Sequence, residues 1–420
     1  MKMTLTNRRV LYISYNGMLD PLGQSQVIPY LKELSREGVR FTLLSFEGPG
    51  AYSNEGLERC EQLRAGLAGS GIDWCWLRYH QTPSLPATIY DVLAGIRYGS
   101  RLVRLRQIEM IHARSHIAAT IALALKKRFR LKMIFDLRGL MAEEYVDAEH
   151  WRKGSVPYLL TKSMERRALQ AADGVVTLTE KIWPMIKDWE GLRGRTVVHE
   201  VVPCCADLER FRFRAADRDR QRNLLGVEDQ FVLVYSGSVG GWYLADKMAD
   251  FFMALLKQKP DSHFLWLSGG PRELIERLML ERGVSADRFS VRAVAPAEVS
   301  SYLCAADAGI AFYKPTFSRL ATSPVKVAEY LACGLPVIIN AGVGDSDTLI
   351  SAQRVGAVIT DFNHDEYEEA LQTLAESATD ETRARARQVA EQFFDLQRIG
   401  AHRYARLYEE VLGSVNEAVA

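Results

Sequence analysis

Strand-like apolar runs alternate with helix-patterned segments along almost the whole chain, and this alternation limits the fold more than any other feature. The first half carries such runs at VLYISY (10–15), RFTLLSF (40–46), IDWCWL (72–77), MIHA (110–113), KMIFDL (132–137), GVVTL (174–178) and VVHEVV (197–202). Between them apolar residues fall at helical spacing, as at Val27, Leu31 and Leu34. Strand, helix, strand in repetition implies right-handed crossovers and a parallel sheet. The rhythm pauses over the charged stretch 202–230. It resumes with FVLVYSG (231–237), HFLWLSG (263–269), RFSVRAV (288–294), AGIAFY (308–313), PVIIN (336–340) and AVIT (357–360). The economical reading is an α/β chain of two doubly wound, parallel-sheet halves joined near 203–210. A last helical stretch, 399–413, follows the second sheet and is free to pack back on the first half.

The length of 420 residues agrees with two domains. With 48% hydrophobic and 25% charged residues the composition is that of a soluble globular protein, and no apolar run is long enough to span a bilayer. The opening MKMTLTNRRVLYISY lacks the apolar core of a signal peptide, and the six cysteines show no CxxC pair, so reduced thiols and a cytoplasmic location are expected. The net charge of +1 conceals an asymmetry: residues 1–203 hold 29 Lys and Arg against 21 Asp and Glu, and the remainder 24 against 31. That surplus is too weak and diffuse for a nucleic-acid binder, but it suits a face that approaches phosphates or anionic lipid.

Open doubly wound sheets bind ligands beyond the carboxyl ends of their strands, so the loops there are the candidates. After the first strand, Gly23, Gln24 and Ser25 are read as leading into a helix with Pro29 in or before its first turn, leaving N–H groups for an anion. No G-x-G-x-x-G occurs, which excludes a standard dinucleotide fingerprint. YSGSVGGWY (235–243) brings Gly237, Ser238, Gly240 and Gly241, where backbone can approach a diphosphate. TSPVKVAEYLACGLPVIIN (322–340) reads as a short helix capped by Ser323, with Pro324 first in the helix and Gly334 past its end. Lys326 and Glu329 share one face of it. On an exposed helix such a pair is worth only ~0.3 kcal/mol; at a helix N-terminus in a cleft, Lys326 would meet a diphosphate and Glu329 a sugar's vicinal hydroxyls.

At these residues the chain resembles the retaining GT-B glycosyltransferases, closest to glycosyltransferase family 4. SPVKVAEYLACGLPVI is similar to that family's donor-site helix, RFSVRAVAPAEVSSYLCAADAGIAFY to the stretch before it, VVPCCADLERFRF to the interdomain segment, and RYARLYEEVL to the helix that crosses back to the N-terminal domain. LDPLGQSQVIPYL, IHARSH and FDLRGLMAEEYVD resemble a subset found in polysaccharide gene clusters. The resemblance implies an acceptor-side domain over 1–203, completed by a C-terminal helix at about 400–420, and a nucleotide-sugar domain over 204–399, the two facing a cleft. It implies sugar transfer from a nucleotide-diphosphate donor with retention, without a metal and without a cofactor. By the same resemblance Glu329 holds the donor ribose, the Gly23–Gln24 and Gly237–Ser238–Gly240 loops flank the diphosphate, and backbone near Val294 meets the base. Where many members have a second glutamate, eight positions before this one, the chain has Ala321. Lys326, with Arg319 second, is assigned the diphosphate charge. The family's H-x-H strand end is matched only at His112. Arg114 occupies the second position and is ranked above His116.

Glycosyl transfer builds negative charge on the departing diphosphate, which helix N-termini and Lys326 can meet. The strings Asp217-Arg218-Asp219 and Asp345-Ser346-Asp347 are weak metal candidates; the second is expected to cap a helix. On the acceptor side, Arg138, Glu143 and Glu144 follow the strand 132–137, and an arginine there suits an acceptor phosphate. The basic stretches 97–106 and 126–132 suit peripheral contact with an anionic membrane, where a lipid-linked acceptor would be met. A nucleotide-sugar epimerase and a catalytically silent nucleotide-sugar binder are the alternatives.

Overall fold

Each of the thirteen apolar runs forms a strand in a computed structural model of the chain, which describes residues 5–377 and 379–413. They are β1 (Arg9–Ser14), β2 (Arg40–Glu47), β3 (Ile72–Arg78), β4 (Met110–Arg114), β5 (Lys132–Asp136), β6 (Gly174–Thr177) and β7 (Val198–Val201). After the polar connector come β8 (Phe231–Ser236), β9 (Ser262–Leu267), β10 (Phe289–Arg292), β11 (Ala308–Ala311), β12 (Val337–Asn340) and β13 (Gly356–Ile359). Helices cover both faces of each sheet, so the strands read as continuous apolar runs; every residue of β9 and all but the first of β1 are buried.

The strands form two sheets, one in each of two units: Met1–Pro203 with Leu396–Ala420, and Cys204–Asp395. The first sheet has the order β3-β2-β1-β4-β5-β6-β7 and the second β10-β9-β8-β11-β12-β13, with parallel pairing throughout. In each, the winding reverses beside the first strand, between β1 and β4 and between β8 and β11. A reversal opens a crevice at the carboxyl ends of those two strands, because the flanking crossovers leave in opposite directions.

The connector contains a helix of its own, Ala215–Leu225, anchored by Arg218 and Arg222, which both grip Asp307 at 2.6 Å. At the end of the chain, a π-helical turn, Leu396–Ala401, leads into the helix His402–Gly413, which packs on the first unit. Residues 414–420 of the expected C-terminal helix lie outside the described residues.

Two helix starts differ from expectation. The helix after β1 begins at Pro21, not after Ser25; it breaks at Val27, and a second helix, Ile28–Arg36, carries Pro29 in its first turn. The helix containing Lys326 runs Val325–Ala332 with Pro324 in the capping position, one residue later than expected. Ser323 does not cap it. Its hydroxyl accepts the Cys204 backbone N–H at 3.1 Å instead. Gly334 does follow the helix end in the left-handed conformation, φ +75°.

Candidate functional site

The second sheet's reversal point lies between β8 and β11, and the helix Val325–Ala332 is the crossover from β11 to β12. Its Val327, Ala328, Tyr330 and Leu331 are buried in the core that includes Val234, Ala311 and Ile339. The helix sits close because Gly309 on β11 has no side chain: a Cβ there would stand 2.3 Å from the Tyr330 ring. Tyr330 in turn receives the Ser236 N–H on its hydroxyl at 2.7 Å, tying the helix to the end of β8.

This packing sends Lys326 inward. Its residue is only 8% exposed, which removes the surface ion pair from consideration. The amine donates to the Tyr235 hydroxyl at 3.2 Å and lies 4.3 Å, 4.1 Å and 5.7 Å from the ring centres of Tyr235, Tyr243 and Tyr313. Burial pushes the ammonium down to about 7, with Glu329 opposing the shift, and the faces of the aromatic rings favour the charged form as well. Glu329, half-buried, is pushed up to about 7 by burial, against the pull of Arg210 and Lys326.

The amine points at the glycine loop. A Cβ on Gly237 would lie 2.7 Å from Lys326 Nζ, and Gly237 has φ +140°, so the loop can pass this close only as glycine. Ser238 and Gly240 are exposed beyond it, and the Ser238 carbonyl accepts the Tyr235 hydroxyl. Val294 follows β10 and is half-buried against the core. Arg319 lies buried in the turn Phe317–Ala321, its guanidinium 5.0 Å from the Trp242 ring centre. Ala321, in the same turn, is 2% exposed. Lys326, Gly237, Ser238 and Tyr235 are thus brought together, with Glu329 one turn along the helix. The tyrosines were missed from sequence; their only signal was an aromatic with a polar tip ending two strand runs, at Tyr235 and Tyr313.

The other candidates belong to the first unit. Gly23 is packed against the loop before it, since a Cβ would stand 2.3 Å from the Gly17 carbonyl oxygen, and Gln24 Nε2 donates to the Met18 carbonyl at 2.6 Å. The same loop is held by Glu47, whose carboxylate accepts the Met18 and Leu19 N–H groups. Arg114 ends β4 and lies 3.8 Å from Asp136, and Arg138, at φ +57°, lies 3.9 Å from the same carboxylate. His116 pairs with Glu165 at 3.0 Å, both buried, and Lys162 joins Glu165 to Glu143. His116 therefore faces the interior. Glu144 lies against Gly139. Of the acidic strings, Asp217 pairs with Arg214 and Arg220 inside the connector helix. Asp345 occupies a helix N-cap position without a side-chain cap bond, while Asp347 accepts the Gly342 N–H at 2.8 Å.

Comparison with known proteins adds the following. Residues 26–199 match the glycosyl transferase 4-like domain, and residues 317–395 match the glucosyltransferase 3-like C-terminal domain. TuaH of Bacillus subtilis (strain 168), assigned as a teichuronic acid biosynthesis glycosyltransferase, is 31% identical over 183 residues. That match spans 42% of this chain and 42% of TuaH, less than half of either. Sucrose-phosphate synthase of Thermosynechococcus elongatus superposes with a TM-score of 0.71 at 15% identity, covering 97% of this chain and all of that one. Anabaena HepE, solved in complex with UDP and glucose, gives 0.67 at 16% identity, covering 96% of this chain and 100% of its own.

Proposed function

We propose that this chain, which has the GT-B fold and is similar over residues 26–199 to the glycosyl transferase 4-like domain, transfers a sugar from a nucleotide-diphosphate donor to a glycan or lipid-linked acceptor, in polysaccharide or glycoconjugate biosynthesis. The observation that carries this is Lys326: a buried amine at the reversal point of the second sheet, aimed at a glycine loop and held by tyrosines in place of a carboxylate. Such a cation lacks a full counter-charge until an anion arrives. In this reading the diphosphate lies between the Gly237 loop and the start of the helix Val325–Ala332, and Glu329 accepts the ribose hydroxyls. As the anomeric C–O bond breaks, its electrons pass to the diphosphate oxygen, and Lys326 stabilises that charge. Arg319 is a second cation for the same phosphates. Configuration at the anomeric carbon is retained, and no metal or cofactor takes part.

The acceptor is assigned to the first unit, with Arg114 and Arg138 nearest the reversal point of its sheet. Location is proposed as cytoplasmic, at the inner face of the membrane. Among the described residues no helix is long and apolar enough to cross a bilayer. Peripheral contact has support in the helix Ser84–Arg106, whose exposed Leu85, Ile89 and Leu93 share a face with exposed Arg97, Arg101 and Arg104. A flotation assay with anionic vesicles that left the protein at the bottom of the gradient would count against that contact.

A thermal-shift panel of UDP-, GDP-, dTDP- and ADP-linked sugars tests the donor assignment. Saturation at 100 times the dissociation constant stabilises a fold by about 2.7 kcal/mol. The expected result is a shift with one base and loss of that shift in Glu329→Ala; no shift with any donor would sink the proposal.

A further inference from the structure

One polar cluster at the carboxyl edge of the first sheet has no part in the function proposed above. Asp91, on the helix Ser84–Arg106, is fully buried, and its carboxylate is committed to two loops. It accepts the Tyr15 hydroxyl at 2.9 Å, just after β1, and it accepts the His80 backbone N–H at 3.0 Å, just after β3. Its other oxygen lies 2.6 Å from His80 Nδ1. A carboxylate oxygen accepts, so the hydrogen shared with it is on His80 Nδ1, and Nε2 is the ring nitrogen left for another partner. The imidazole is not enclosed: its side chain is 37% exposed, while that of Asp91 is 1% exposed. Beside it stands Tyr90, 61% exposed, its ring nearly perpendicular to the imidazole with centres 5.1 Å apart. Tyr15 is wedged by Tyr79 and Phe46, which hold its hydroxyl on Asp91.

A buried carboxylate is expensive to desolvate, and here it serves to orient one partly exposed imidazole next to one exposed aromatic ring. Sugars present both complements: hydroxyl donors around the rim and a C–H face that packs on an aromatic ring. Few other ligand classes combine the two, and sites of this kind pair apolar surface with a small number of oriented polar groups. We infer that the carboxyl edge of the first sheet holds a saccharide subsite, in which His80 Nε2 hydrogen-bonds a sugar hydroxyl and Tyr90 packs against a pyranose face. This rests on the transferase reading only in calling the bound sugar part of the acceptor. Tyr15 and Asp91 are positioning residues, since they act through His80.

The test is saturation-transfer NMR on the full chain, with the methyl α- and β-pyranosides of glucose, galactose, mannose and N-acetylglucosamine as probes. Transfer to at least one glycoside is expected, with affinity reduced about tenfold by Tyr90→Ala and by His80→Ala. Tyr90 is exposed enough to be removed without unfolding the unit, and because His80→Ala takes a hydrogen bond from buried Asp91, its melting temperature is measured beside its binding. Spectra of 15N-histidine-labelled protein should show His80 with a hydrogen on Nδ1, and its Nε2 signal should move as glycoside is added. Binding of UDP should be equal in wild type and both variants. Glycoside binding that survives both substitutions overturns the inference, as does absence of binding by every probe in a protein that binds UDP. Glycoside binding lost in the variants, in a protein that binds no nucleotide sugar, leaves the subsite standing and removes the transferase reading. Absence of both kinds of binding removes both.

Discussion

The two sheets share one topology, yet their reversal points are electrostatic opposites. In the first, the buried carboxylate of Asp136 is met on one oxygen by hydrogen-bond partners and flanked by two guanidinium groups. Tyr404 donates to it at 2.8 Å, His112 Nε2 lies 3.4 Å away, and Arg114 and Arg138 stand 3.8 Å and 3.9 Å off. Burial alone would raise its pKa, but Arg138, the hydrogen bond from His112 and Arg114 outweigh burial and hold it below the usual carboxylate range. Burial keeps His112 below the usual histidine range, so at neutral pH it is uncharged, donating from Nε2 and accepting the Tyr408 hydroxyl at Nδ1, 2.7 Å away. The charge of this network is balanced within the unit, and the helix His402–Gly413 is part of it. In the second sheet the buried group is the amine of Lys326, answered by tyrosine oxygen and ring faces. That network is open. The difference teaches that strand order locates a crevice and that the charge inventory decides whether the crevice waits for a ligand.

The largest expected effect comes from breaking the charge-balanced side. Asp136→Asn removes the carboxylate that the buried Arg114 faces, and removing one partner of a buried ion pair costs about 3–5 kcal/mol. Urea unfolding should show that loss, while the UDP affinity of protein that remains folded stays at the wild-type value. A stable Asp136→Asn protein with weakened UDP binding would reverse the comparison.

Lys326→Ala should behave in the contrary way. Loss of one preorganised group facing a developing negative charge lowers turnover by about 10²–10³-fold. Folding stability should hold or improve, because the substitution removes an amine whose charge burial disfavours. Donor turnover and thermal melting, measured on the same preparation, separate the two effects. Wild-type turnover in this variant would deny Lys326 its role.

A smaller effect should appear with pH. Free Lys326 ionises at about 7. A diphosphate beside it raises that value, so its contribution to affinity is complete below pH 7 and is lost as pH climbs toward the pKa of the complex. UDP affinity should therefore fall by up to about tenfold per pH unit above 7. Calorimetry between pH 6 and 9 in buffers of different ionisation enthalpy would also register the proton taken up. Lys326→Arg, which stays charged throughout, should flatten the profile. A wild-type profile as flat as that of the arginine variant would show that the amine is already charged when free.

What the sequence could reveal follows from the same physics. Strands buried on both faces are unbroken apolar runs, so all thirteen were legible, though their ends were blurred by a residue or two. Lys326 and Glu329 were legible as a pair because a helix places them on one face. Their environment was not, since Tyr235, Tyr243 and Tyr313 come from three separate segments that only the fold brings together. Asp136 went unremarked for a related reason. Its partners Tyr404 and His112 are 268 and 24 residues away, and no local pattern marks a carboxylate as an ion-pair centre. His80 and Asp91, eleven residues apart, were invisible because their meeting depends on where the helix Ser84–Arg106 leaves the sheet.

Ser323 carries the smallest and most discriminating prediction. Its place before Pro324 resembles a helix cap, and from sequence it was grouped with the donor site. Its hydroxyl oxygen instead accepts the buried N–H of Cys204, the first residue of the second unit. Replacing it with alanine removes that hydrogen bond, a loss of about 0.5–1.5 kcal/mol. The helix Val325–Ala332 keeps its start, because proline fixes the backbone there without any cap from Ser323. Ser323→Ala should therefore lower the melting temperature and leave nucleotide affinity unchanged, whereas Ser323→Thr, which keeps the acceptor oxygen, should recover part of the stability. If Ser323→Ala weakens donor binding with no change in melting, the hydroxyl serves the ligand and the open network extends one residue further than Lys326.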